Sequence, residues 1–286
     1  MTALALLMLG QSTHDHVVPA EPGPWRPQMG GNALFAAAAL TVLPPERIAV
    51  VTRCGRDYPF DIEGTLAGVG IRRVAVVEVH APHLVEWLVY EPDGTRRSLP
   101  RNPDLRGTVG EGADASLAYL ARLEALSPTA GDVPSAWRAV AKIDLASRVA
   151  ARHRANAEVF AAGARVILDP SPHCGRTGDA PALRAMLPTV DALLASDGDI
   201  AALVARHGTP ALAAEAPQAA GFSEVVVKRD ARGCEVATSA GPRTMPAPTT
   251  RMVDPTGAGD AFGGAFAAAR AVGADMFPGA EAALRA

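Results

Sequence analysis

The sequence predicts an α/β fold built on one doubly wound, mostly parallel sheet flanked by helices. Short apolar runs of strand length alternate with Ala- and Leu-rich helical stretches, the pattern of parallel strands joined by helical crossovers. No stretch repeats another. The chain of 286 residues, 49% hydrophobic and 20% charged, is long enough for one large domain or two small ones with an ample core. In such a sheet a ligand lies beyond the carboxyl ends of the strands.

Leu4 to Leu9 is an apolar run ended by Gly10, as in a strand buried on both faces. It has neither a basic flank nor a small-residue cleavage site, so it is read as the first strand, not as a signal peptide. Val17 to Gln28 is rich in proline. Met29-Gly30-Gly31-Asn32 then opens an apolar helix from Ala33 to Leu43. Arg47 to Thr52 is a second strand, followed by a helix that ends at Gly68-Val69-Gly70 and by a strand from Val74 to Val79. Leu84 to Tyr90 and Gly94 to Leu99 form a hairpin across Pro92-Asp93-Gly94. Asp104 to Ile143 reads as helical stretches without attached chemistry, and Ala146 to Ala162 as a helix with Arg148, Arg152 and Arg154 on its wetter side. Strands follow at Arg165–Asp169, Val190–Ala195, Glu224–Lys228 and Cys234–Thr238, and a Pro-rich turn leads to Val253.

The net charge of −3 and the absence of aromatic interleaving among the arginines exclude a nucleic-acid-binding stripe. No run approaches the ~18 apolar residues of a membrane span. Cys54, Cys174 and Cys234 are scattered without metal-ligand spacing, which points to a reducing compartment and a cytoplasmic protein. His14 and His16 flank Asp15 and read as polar loop chemistry.

The most informative stretch is Val253 to Ala269, VDPTGAGDAFGGAFAAA, a tight glycine turn feeding a small-residue helix. The first turn of such a helix offers N–H groups at Ala258, Gly259 and Asp260 and the positive end of the dipole, which suits a phosphate or an oxyanion. Asp260 would repel a phosphate, so it needs a reason. Either it accepts a proton from an attacking hydroxyl, or it is a helix N-cap. GAGDAF does not fit the dinucleotide fingerprint, and the chain has no GxxxxGK[ST] loop, which disfavours a nicotinamide-dependent dehydrogenase.

Asp254, Thr256, Gly257, Ala258, Gly259 and Asp260 resemble the D-T-x-G-A-G-D signature of the ribokinase, or PfkB-type, carbohydrate kinase family. The resemblance extends from Leu4 to the chain end and implies a ribokinase-like domain over 1–286. Small β-lid segments are expected at approximately 11–29 and 84–101. It implies ATP and Mg²⁺ as cofactors, with a monovalent-cation site as an addition. The implied reaction phosphorylates a hydroxyl of a sugar, polyol or nucleoside, with Asp260 as general base and Gly257, Ala258 and Gly259 completing the anion hole. Asp15, Gly30, Gly31 and Asn32 fall at the acceptor-binding places. Lys228, Gly233, Thr256, Gly257 and Gly259 fall on the nucleotide side. By the same analogy a lid can pair with another subunit's lid in a homodimer, and neither nucleic acid nor membrane is a partner.

The chain also departs from the family pattern. Phe35 stands where a sugar-contacting Asn is usual, and Asp230 replaces the first Gly of V-K-x-G-x-x-G. Ser196 and Asp199 replace the Asn and Glu of N-x-x-E, leaving Asp199 as the metal candidate or as a helix cap. Only 26 residues follow Asp260, so the domain is expected to be C-terminally short. These departures motivate an alternative, a non-catalytic sugar- or nucleoside-binding protein of the same fold.

Overall fold

The structure, a computed structural model, describes residues 3–20, 23–38, 43–91, 96–97, 117–140, 142–146, 150–160, 163–170, 189–200, 222, 224–250 and 254–285. Among them the strands are β1 (Leu6–Gly10), β2 (Thr13–Val18), β3 (Arg26–Gly30), β4 (Ile48–Gly55), β5 (Arg73–Val79), β6 (Val85–Tyr90) and β7 (Arg96–Arg97). They continue with β8 (Lys142–Ala146), β9 (Arg165–Leu168), β10 (Ala192–Ser196), β11 (Val225–Lys228), β12 (Cys234–Thr238) and β13 (Gly241–Met245). The α-helices are α1 (Asn32–Ala38), α2 (Ile62–Gly68), α3 (Leu117–Ala125), α4 (Ala150–Phe160), α5 (Ala258–Ala271) and α6 (Met276–Leu284).

The main sheet runs in the order β13-β12-β11-β10-β9-β8-β1-β4-β5. From β5 to β11 every neighbouring pair is parallel, and β12 and β13 add an antiparallel edge. Apolar runs explain the parallel part, because strands covered on both faces need no polar side. Alternation sends Leu6 and Met8 of β1 to one face and Leu7 and Leu9 to the other. The first pair joins a core with Ile48, Val50 and Phe266, under α1, α5 and α6. The second joins Ala49, Val51 and Ile143 with Ala157 and Phe160 of α4. Each of the larger buried side chains, from valine to phenylalanine, contributes about 1.5–3 kcal/mol.

Helix α5 is the element that sets the site. Its second turn is glycine because α1 lies directly against it: a Cβ on Gly264 would stand 2.3 Å from the Ala36 carbonyl oxygen. The run from Phe262 to Arg270 is buried.

A second sheet, of order β3-β2-β6-β7, sits over this end of the molecule. Its strands lie at Thr13–Val18, Arg26–Gly30, Val85–Tyr90 and Arg96–Arg97. His14 and His16 lie within strand β2, not in a loop, on the face opposite Asp15. They pack with His83, Trp25, Trp87 and Phe60.

Two strands are absent from the sequence reading. β8 occupies a stretch assigned to helix ends, so Ala146 closes a strand and α4 starts only at Ala150. β13 occupies the expected Pro-rich turn. It is an exposed edge strand, the one place where Pro242 costs no ladder bond. Residues 39–42 of the first expected helix, the hairpin turn at 92–94, Arg101, Cys174 and Val253 lie outside the described residues. Cys54 and Cys234 are buried free thiols. No helix among the described residues is long and apolar enough to cross a membrane.

Candidate active site

The turn before α5 is built by its own sequence. The Asp254 carboxylate accepts the Thr256 amide at 2.9 Å, and the Ala258 amide donates to the Pro255 carbonyl at 3.1 Å. Gly257 is the N-cap in the left-handed region at φ 76°, where a side chain is strained. A Cβ there would also stand 2.4 Å from Phe35 Cγ. Phe35 therefore fills the space beneath the turn, which gives the departure at this position a packing reason. The bond from Ala258 to Pro255 engages one of the three amides expected in the anion hole. Ala258 and Gly259 are exposed at the helix start, and Asp260 is half-buried beside them.

Of the residues expected to hold an acceptor, Asp15 is buried on β2 and its Oδ1 accepts the Thr13 hydroxyl at 2.6 Å. Gly30 faces it across the β2–β3 pair, where a Cβ would fall 1.9 Å from Asp15 Oδ2. Gly31 turns the chain into α1 at φ 118°. The Asn32 side-chain oxygen accepts the Gln11 amide at 2.8 Å and ties the end of β1 to the start of α1. Alternation on β6 places Tyr90 on the face that carries Asp15. The Tyr90 hydroxyl lies 2.8 Å from the Thr256 hydroxyl, and Arg26 approaches Asp254 at 3.8 Å. The small sheet is thus fastened to the turn. Thr256, expected on the nucleotide side, is bonded to this sheet.

On the other side, β9, β10 and β11 end beneath α5. Lys228 Nζ lies 2.8 Å from both oxygens of Asp169 and 3.3 Å from the Gly259 carbonyl. Burial works against the ammonium, but Asp169, Asp260 and Asp199 outweigh it, so its pKa stands above the usual value. Burial lifts the Asp169 carboxyl to about 7, with Lys228 pulling it down and Asp260 pushing it up. Asp144, mid-strand in β8, is pushed to about 8 by burial first, then by Asp169, with Lys228 opposing and Asp260 adding. Burial and its acidic neighbours therefore favour its neutral form. Sequence reasoning gave Asp144 and Tyr90 no role. The only available signal for Asp144 was an acid inside the apolar pentad KIDLA.

Asp199 forms a reciprocal capping box with Ser196 at the start of helical residues 197–200. Its Oδ2 accepts the Ser196 amide at 2.8 Å and hydroxyl at 2.6 Å, and its amide donates to Ser196 Oγ at 3.2 Å. The other oxygen, Oδ1, is buried without a hydrogen-bond partner among the described residues. Asp230 adopts φ 50°, in the left-handed region that Asp tolerates better than most residues. Arg232 pairs with Asp197 at 2.5 Å, not with Asp230. Gly233 packs against the Met245–Ala247 backbone, with no room for a Cβ. No group of three or more His, Cys, Asp or Glu among the described residues has the arrangement of a metal site.

The model of the pfkB family carbohydrate kinases matches residues 134–284, from before β8 through α6. The chain belongs to the PfkB carbohydrate kinase family. No curated protein matches its sequence significantly. Among solved structures, this PfkB-family chain is similar to the Burkholderia thailandensis nucleoside kinase in complex with inosine. The TM-score is 0.74 at 18% identity, covering 98% of this chain and 89% of that one. It is also similar to the Giardia lamblia ribokinase, with TM-score 0.69, 19% identity and coverage of 99% and 91%. A putative ribokinase II from E. coli, solved with ATP and Mg²⁺, gives TM-score 0.66, 18% identity and coverage of 99% and 90%. At these identities the likeness establishes the fold.

Proposed function

We propose that this PfkB-family chain is an ATP-dependent phosphotransferase acting on a hydroxyl of a sugar, polyol or nucleoside. One observation carries the reading. The sheet that holds Asp15 is bonded through Tyr90 to the very turn that presents Asp260, so the acceptor-binding carboxylate and the candidate base belong to one assembly. Asp15 accepts bonds from acceptor hydroxyls, which are charge-assisted and suit a polyhydroxy substrate. Gly30 leaves space for that carboxylate, and Gly31 and Asn32 fix the loop beside it.

Asp260 takes the proton of the attacking hydroxyl. The Gly259 amide and the positive helix end hold the charge of the transferring group. Lys228, Gly233 and Thr256 frame the nucleotide side. Mg²⁺ accompanies the ATP phosphates, where it neutralises charge. Asp199, with its Oδ1 unpartnered, suits an ion that keeps several of its waters. A monovalent-cation site, a cytoplasmic location and a lid-to-lid homodimer belong to the same reading by family analogy.

The test is ADP release from Mg-ATP across a panel of sugars, polyols and nucleosides. Acceptor-dependent ADP is expected, and Asp260→Asn should cut turnover by about a hundred- to ten-thousandfold while leaving acceptor binding nearly intact. Undiminished turnover in that variant would refute the base assignment. Saturable acceptor binding without ADP from any acceptor would favour a binding protein instead.

A further inference from the structure

We propose that Asp169 and Lys228 are positioning residues for Asp260, acting through the peptide bond that joins Gly259 to Asp260. The inference rests on Asp260 being the base. A peptide unit is planar, so the Gly259 carbonyl and the Asp260 amide turn together. Lys228 reaches that carbonyl at 3.3 Å. Asp169 holds the ammonium through both of its oxygens at 2.8 Å and is itself pressed against α5, where a Cβ on Gly263 would lie 2.6 Å from its Oδ2. The pair is mostly buried, with side chains 15% and 8% exposed, so solvent neither screens nor replaces these bonds.

Two strand ends thereby act on one peptide group. Lys228 closes β11 beside Ser196 of β10, and Asp169 follows β9. Fixing the carbonyl fixes the direction of the Asp260 amide and of the Cα that carries the base. The ammonium also polarises the peptide, which makes its N–H a better donor to a developing negative charge. Among the described residues the charges that act on Lys228 are Asp169, Asp260 and Asp199, and Asp144 from β8 belongs to the same group, while Arg26 meets the turn from the other side at Asp254.

The experiment compares the wild-type chain with Lys228→Met, Asp169→Asn and the double variant, beside Asp260→Asn, using the acceptor that supports ADP release. Lys228→Met should lower kcat by about ten- to a hundredfold, the effect of a misplaced catalytic group, with KM for ATP and acceptor within threefold. Asp169→Asn should lower kcat while Lys228 is present and add less than twofold once Met replaces it, because Asp169 acts through the lysine. A KM rise for ATP without a kcat change would make Lys228 a plain nucleotide contact and overturn the proposal, as would additive effects in the double variant. If Asp260→Asn keeps full turnover, the base assignment fails. If Asp260→Asn is inactive but Lys228→Met keeps kcat, the positioning role alone fails.

A second readout needs no acceptor and is made in the double variant as well, which removes both members of the Asp169–Lys228 pair together. Amide exchange at Ala261, Phe262 and Gly263 should quicken at least tenfold in the variants while β1 amides stay protected. Unchanged exchange at those three amides would overturn the inference.

Discussion

Replacing Asp144 by Asn should stabilise the protein, and increasingly so as the pH rises. In the unfolded chain the Asp144 carboxyl ionises near pH 4, whereas burial and the neighbouring Asp169 keep it protonated to about 8 in the fold. Between those values the folded state binds one more proton than the unfolded state, so stability falls with pH. Each pH unit costs about 1.4 kcal/mol, which amounts to about 4 kcal/mol between pH 5 and pH 8. Asn is uncharged throughout and has nearly the same shape, so the variant escapes that loss. With about 2 °C per kcal/mol for a chain of this size, the gap in melting temperature should widen by about 8 °C from pH 5 to pH 8. Thermal unfolding of both proteins followed by circular dichroism across that range measures it. Asp169 is present in both chains, so the gap reports Asp144 together with its coupling to Asp169. A gap that stays constant, or narrows with pH, would show that Asp144 is ionised in the fold and would refute the reasoning.

Tyr90→Phe removes the hydroxyl that meets Thr256 and leaves the ring in place. A net hydrogen bond of about 0.5–1.5 kcal/mol predicts a two- to tenfold rise in the acceptor KM with little change in melting temperature, read by steady-state kinetics. An unaltered KM would mean that this contact does not hold the small sheet over the acceptor. Gly264→Val pushes α5 away from Ala36, since the first added carbon already stands 2.3 Å from a carbonyl oxygen. Overpacking of this kind costs about 1–3 kcal/mol or more, so urea unfolding should begin at clearly lower denaturant, and a midpoint equal to wild type would contradict the packing described.

The strands that were legible from sequence are those whose runs are apolar throughout. Leu6–Gly10, Val225–Lys228 and Arg165–Leu168 announce themselves because both faces of the sheet are covered. β8 did not, and the reason is Asp144. Read as a charge, it interrupts the run KIDLA; in the fold burial favours its neutral form and the strand is as buried at its centre as its neighbours. That burial is itself a product of the fold, so local pattern could not supply it. β13 was hidden by Pro242, which an edge position tolerates and a central one does not.

The candidate site divides along the same line. The turn at 254–260 is local: its glycine, its Asx bond and Asp260 are close in sequence, so the sequence spells out the arrangement. What surrounds it is not local. Tyr90 meets Thr256 across 166 residues and Asp169 meets Lys228 across 59, and the sheet order alone brings them together. Phe35 illustrates the consequence. Taken by itself it is a missing polar contact, but against Gly257 it is the floor of the turn. A substitution that subtracts a polar side chain therefore also braces the backbone that presents Asp260. A Phe35→Asn exchange would accordingly be felt first in turnover, through a loosened turn, and only then in acceptor choice.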